Sequence, residues 1–175
     1  MGILENFKID LQGLKGEVSD FNFILTDDFF STIGTSDVKG GSLDAHLRVK
    51  KTAGEYRLEF HVEGTVIVAC DICLEDMTIP VATDSDMVAR MGEAYDESDE
   101  VITVPADEGI VDVAWIIYEL IVLAIPTRHV HQEGKCNPEM TAKLGLLHVD
   151  DADINDHDVD PRWSELEKLK SIIKE

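Results

Sequence analysis

Two runs of alternating residues leave this chain little choice of fold. In "LDAHLRVK" the apolar Leu43, Ala45, Leu47 and Val49 alternate with Asp44, His46, Arg48 and Lys50. In "YRLEFHVEGTV" the apolar Tyr56, Leu58, Phe60, Val62 and Val66 alternate with Arg57, Glu59, His61, Glu63 and Thr65. Side chains leave a strand on opposite faces at every step, so this pattern specifies strands with one face buried and the other wet. The link "KTAG" ends in Gly54, which predicts an antiparallel hairpin. "CLEDMTIPVATDSDMVARM" offers a third strand, with Met77, Ile79 and Val81 on one face. Pro80, which has no amide proton, requires an edge, a bulge or an outward position there. "EVITVP" supplies a further short strand, "FKIDLQGL" is a candidate, and "EAYDESDE" reads as a charged loop. "TDDFFSTIG" reads as a short helix capped by Thr26 or Asp27 and ended at Gly34.

The character changes at Asp112. "DVAWIIYELIVLAIP" opens on a capping residue, stops at Pro126 and carries Glu119 as its one charge after the cap. Its length favours a buried helix over a parallel strand and falls short of a membrane span. The expected fold class is therefore α+β, an antiparallel sheet or partly open barrel of about five to seven strands. One buried helix at 112–125 covers it, and a C-terminal amphipathic helix follows. We expect a single domain over 1–147, an acidic connector over 148–160 and a terminal helix over 161–175. "DPRWSELEKLKSIIK" begins with Asp160 as cap and Pro161 at the first helical position. Trp163, Leu166, Leu169 and Ile173 form its apolar stripe. The connector imitates a calcium loop at Asp151, Asp153 and Asn155. It fails as one, because Asp156 stands where glycine must turn and Arg162 where a bidentate Glu is needed.

Charge restricts the partners. Among 175 residues, 15 are basic and 36 acidic, for a net charge of −21. That field repels polyphosphate, which argues against direct nucleic-acid binding and favours a basic protein partner; solubility alone also explains it. No secretory leader and no membrane-spanning run is evident, and three cysteines do not make a disulfide framework, so a cytoplasmic location is expected.

The chemistry centres on "VIVACDICLEDMTIPV", which places Cys70 and Cys73 at a turn between two apolar runs. A redox couple fits poorly, since no helix follows the pair and Glu75 and Asp76 oppose a thiolate. A tight turn does present two sulfurs to one side, as in zinc knuckles. The third cysteine lies in "TRHVHQEGKC" after the helix, with His129 and His131 close by. Cys70, Cys73 and Cys136 plus one histidine would close a Cys3His site with no position open to substrate. Residue types and spacing are equally consistent with two small core cysteines and a loop histidine. For an enzyme, Glu133 or Cys136 beside His131 are the available groups. The chain has no HExxH, GxSxG, P-loop or dinucleotide signature, and no small-molecule substrate is expected.

"CDICLE", "VDV…ELIVLAIP", "HVHQEGKC" and "DPRWSELEKLK", in that order, resemble the bacterial large ribosomal RNA subunit accumulation protein family, the YceD-like proteins. The resemblance spans residues 66 to 175. It implies that the family's first cysteine pair falls on Cys70 and Cys73, and its later histidine and cysteine on His131 and Cys136, as ligands of a structural zinc. Many relatives carry a further CxxC beyond this point. Here "CNPEMTAKLG" has none, with Glu139 and Met140 in that region, which leaves His131 as the fourth ligand and His129 in reserve. The resemblance also implies a non-enzymatic accessory factor in ribosome biogenesis, needed for large-subunit ribosomal RNA accumulation. The net charge of −21 adds the expectation that it acts through a basic protein partner, such as a ribosomal protein or an RNA-processing factor. The competing functions are an acidic interaction module without metal and a metal or thiol hydrolase.

Overall fold

A computed structural model describes residues 2–98 and 101–147 of the chain. The chain divides into two compact units, Met1–Asn137 and Pro138–Glu175. The first is built in the order 3-10 turn (Ile3–Phe7), β1 (Lys8–Asp10), β2 (Val18–Leu25), α1 (Asp27–Ile33), β3 (Gly40–Thr52), β4 (Glu55–Ala69), β5 (Asp76–Gly92), β6 (Asp96–Ser98), β7 (Val101–Pro105), β8 (Ile110–Asp112) and α2 (Ala114–Ala124). In the second, the described part is α3 (Pro138–Leu147), a helix with no buried residue. The acidic connector expected over 148–160 and the terminal helix expected over 161–175 lie outside the described residues.

The alternating runs form the expected hairpin. β3 and β4 pair antiparallel from Gly40↔Ile67 to Thr52↔Glu55, leaving Ala53 and Gly54 as the turn. They lie in a six-stranded sheet of order β2-β3-β4-β5-β7-β6, while β1 and β8 form a separate two-stranded sheet. The protein is α+β, and the sheet is open rather than a closed barrel. It is mixed, not wholly antiparallel: β7 runs parallel to β5, from Val88↔Val101 to Gly92↔Pro105. Part of the expected charged loop at 93–100 is β6, paired antiparallel to β7. Pro80 pairs with Thr65 on a stretch of β5 that β7 does not reach. Its missing N–H therefore falls where the strand is an edge, as its chemistry demands.

The apolar positions of both alternating runs are buried: Leu43, Ala45, Leu47 and Val49 on β3, and Tyr56, Leu58, Phe60, Val62 and Val66 on β4. Two helices complete the layer. α1 brings Phe29 and Phe30 against β3, and Phe7 stacks on Phe23 at 4.7 Å while touching Phe29 at 5.1 Å. Neither Thr26 nor Asp27 caps α1 with its side chain. The Asp27 carboxylate instead accepts the Gly41 N–H at 2.8 Å, tying the helix to the start of β3.

α2 packs on β4 and β5 through Ala114, Ile116, Ile117, Tyr118 and Ile121. The Asp112 carboxylate accepts the Ala114 N–H at 3.0 Å, so the residue expected to cap the helix supports its first turn. The helix is buried along one side only. Trp115 is 47% and Leu123 82% exposed, although the sequence is apolar nearly all round.

The outer face of the sheet is a lattice of opposite charges. Arg48 pairs with Asp20 at 2.7 Å, Lys50 with Glu59 at 2.6 Å, Arg57 with Asp86 at 2.8 Å and His61 with Asp84 at 2.7 Å. Such exposed pairs contribute little individually; their main effect is to keep this face wet.

Candidate metal centre

The β4–β5 connection forms a knuckle over residues 70–75. The Leu74 N–H donates to the Cys70 carbonyl at 2.9 Å and the Cys70 N–H to the Glu75 carbonyl at 2.8 Å. This short circuit turns Cys70 and Cys73 toward one side. Both are buried, Cys70 completely. The segment after α2 then crosses the knuckle. The Asp71 N–H donates to the His129 carbonyl at 3.0 Å, and the His129 N–H donates to the Asp71 carboxylate at 2.7 Å. The His129 ring adds Nε2 at 3.4 Å from the same carboxylate and Nδ1 at 3.1 Å from the Pro126 carbonyl. His129 is therefore a strap between the two segments, occupied on both ring nitrogens. A turn closed by Lys135 N–H to the Gln132 carbonyl, at 2.9 Å, follows and brings the chain back to Cys136.

The result is a four-member cluster. The ligand atoms of Cys70, Cys73, His131 and Cys136 all lie within 4.8 Å of one another. Cys70 Sγ is 3.8 Å from Cys136 Sγ, and His131 Nδ1 is 3.3 Å from Cys73 Sγ and 4.0 Å from Cys136 Sγ. Tetrahedral bonds of about 2.3 Å to sulfur and about 2.0–2.1 Å to nitrogen imply edges near 3.8 Å between sulfurs and near 3.6 Å between sulfur and nitrogen. The Cys70–Cys136 edge of 3.8 Å and the His131 edges of 3.3 and 4.0 Å are close to those dimensions. Its sulfurs are too far apart for a disulfide, and all three cysteines are free. Among the described residues this is the group that can hold a metal ion.

The electrostatics suit a cation. Burial opposes ionisation of Cys70, but the N–H groups of Cys73, His131 and Ile72 directed at its sulfur outweigh that, lowering its pKa to about 6. The Cys70 and Cys73 sulfurs raise the His131 pKa against its partial burial. Burial, reinforced by the same two sulfurs, pushes the Cys136 thiol up to about 11. Three thiols and an imidazole cannot all shed their protons at neutral pH without a positive charge at the centre.

The structure thus brings together all four residues that the sequence put forward and leaves the reserve, His129, outside the group. Glu133, considered as a possible base, is exposed and also outside it. Sequence reasoning missed Asp71. Its position between the two cysteines, with His129 in the facing segment, was the available signal.

Fold and cluster together define an α+β protein whose β-knuckle and post-helix segment share a Cys3His group. The model of the large ribosomal RNA subunit accumulation protein family, YceD, matches residues 58–170, more than half of the chain. The chain belongs to that family. No curated protein and no solved structure matches it. Among the described residues no helix is long and apolar enough to cross a membrane.

Proposed function

We propose that the protein is a non-enzymatic accessory factor for large-subunit ribosomal RNA accumulation, working in the cytoplasm through a basic protein partner. In this reading Cys70, Cys73, His131 and Cys136 hold one structural Zn(II). Family membership supports the link to ribosomal RNA. The observation that carries the zinc assignment is the set of four ligand atoms within 4.8 Å, drawn from two segments distant in sequence. Soft thiolates with an imidazole suit Zn(II), and four protein ligands leave no place for a reacting water, so the ion staples rather than catalyses. A charge of −21 favours a basic protein over RNA phosphates as the direct contact.

The test is complementation. Cells that depend on this protein and lack it should lose large-subunit relative to small-subunit ribosomal RNA, and the wild-type gene but not Cys136→Ser should restore the ratio. An unchanged ratio would remove the proposed role. Tight binding of the purified protein to large-subunit RNA at physiological salt, with no other protein present, would refute the partner-mediated route.

A further inference from the structure

The surface beside the metal cluster has an unusual composition. A groove of about 400 Å³ runs between the knuckle and the end of α2, lined by Leu74, Val122, Ile125 and Pro126 and bordered by the carboxylates of Asp37 and Asp71. Leu74 is 64% exposed and sits at φ 62°, where it alone among the described non-glycine residues has a positive φ. A side chain in that region costs backbone energy that glycine would avoid. The chain thus carries an unfavourable backbone conformation and an exposed leucine at one site, and that leucine does not contribute to the core.

We infer that this groove is the docking site for an apolar segment carrying lysine or arginine, contributed by the basic protein partner, with Leu74 as its anchor. The inference rests on the proposed partner-mediated function and assigns that partner a place. Charge selects the occupant. The carboxylates at the border complement a cationic segment, whereas a second copy, also at −21, would bring like charges together. A nucleic acid would meet the same carboxylates and find no basic residue lining the groove except His129, which is held by Asp71. Apolar anchors surrounded by complementary charge are the usual composition of such an interface.

The test titrates individually purified basic ribosomal proteins of the large subunit against wild type, Leu74→Gly and the charge reversal Asp37→Lys at physiological salt. Zinc content and melting temperature are read in parallel. At least one of these proteins should bind the wild type, and each variant should weaken it by about tenfold or more. Leu74→Gly should keep its zinc and melt no lower than wild type, because glycine relieves the positive φ. Equal binding by wild type and both variants would overturn the groove while leaving the partner reading in place. Binding by none of these proteins would overturn both. Self-association of the wild type that Leu74→Gly abolishes would show a second copy on this surface and contradict the assigned occupant.

Discussion

Cys70 Sγ lies 3.8 Å from Cys136 Sγ, although 66 positions separate the two residues. Between them run β5, β6, β7, β8 and α2, so a bond through a common ion would fix the end of the helix segment to the central hairpin. Closing so long a loop is where a metal clip constrains the unfolded chain most.

Removing one ligand should therefore release the ion and loosen the fold. Cys73→Ser and His131→Ala should each drop zinc content from one equivalent toward none and lower the melting temperature by roughly 5 °C or more. His129→Ala should retain the ion, since His129 lies outside the cluster and binds Asp71. Elemental analysis with thermal melting separates the cases.

Metal affinity should rise with pH. The metal-free protein at neutral pH keeps the proton of Cys136, whose pKa is about 11, and holds that of His131 more tightly than usual. Zinc must displace the first at every turnover of the equilibrium, so the association constant should increase at least about tenfold per pH unit between pH 6 and 8. Below about pH 6 the Cys70 thiolate also takes up a proton, and the dependence should steepen. A competing chelator titrated at several pH values reads the slope.

Glycine is required at position 64 by space as well as conformation. Its φ is +148°, and an added Cβ would lie 2.3 Å from the Ser42 carbonyl oxygen and 2.6 Å from the Leu43 Cα. Gly64→Ala should cost about 2–4 kcal/mol by denaturant melting. Gly54→Ala, at φ +94° with open space around it, should cost only the backbone preference, about 1 kcal/mol.

On the sheet's outer face, the hydrogen bond that the His61 ring donates to the Asp84 carboxylate holds the His61 pKa above its usual 6.5. A raised folded pKa means that this pair's stabilisation is fully present below the unfolded value near 6.5 and is lost as pH rises through the folded one. Asp84→Asn should bring the NMR-titrated pKa of His61 back down. Because the pair is exposed, the melting temperature should hardly move.

Legibility of the fold followed burial. The β3–β4 hairpin and α2 could be read because their apolar positions recur with the right period and face the core. β2 escaped notice because Val18 and Ile24 stand exposed, at 50% and 76%, between its polar residues, which blurs the alternation. β6, "DES", has no apolar signal and exists through backbone pairing with β7. α3 buries no residue, so no amphipathic stripe announced it. The parallel β5–β7 pair depends on how the chain returns past β6, which local periodicity does not encode. The three cysteines and the need for one histidine were legible from side-chain type and order, and the family resemblance pointed to His131. The choice of His131 over His129 was not legible from spacing, because it depends on Asp71 drawing His129 away.

Zinc-edge X-ray absorption of the purified, untagged protein tests the central assignment most directly. Three sulfur scatterers at about 2.3 Å and one nitrogen at about 2.0–2.1 Å are expected for the cluster. A shell of oxygen and nitrogen alone, or protein that carries no metal and melts identically after chelation, would contradict it.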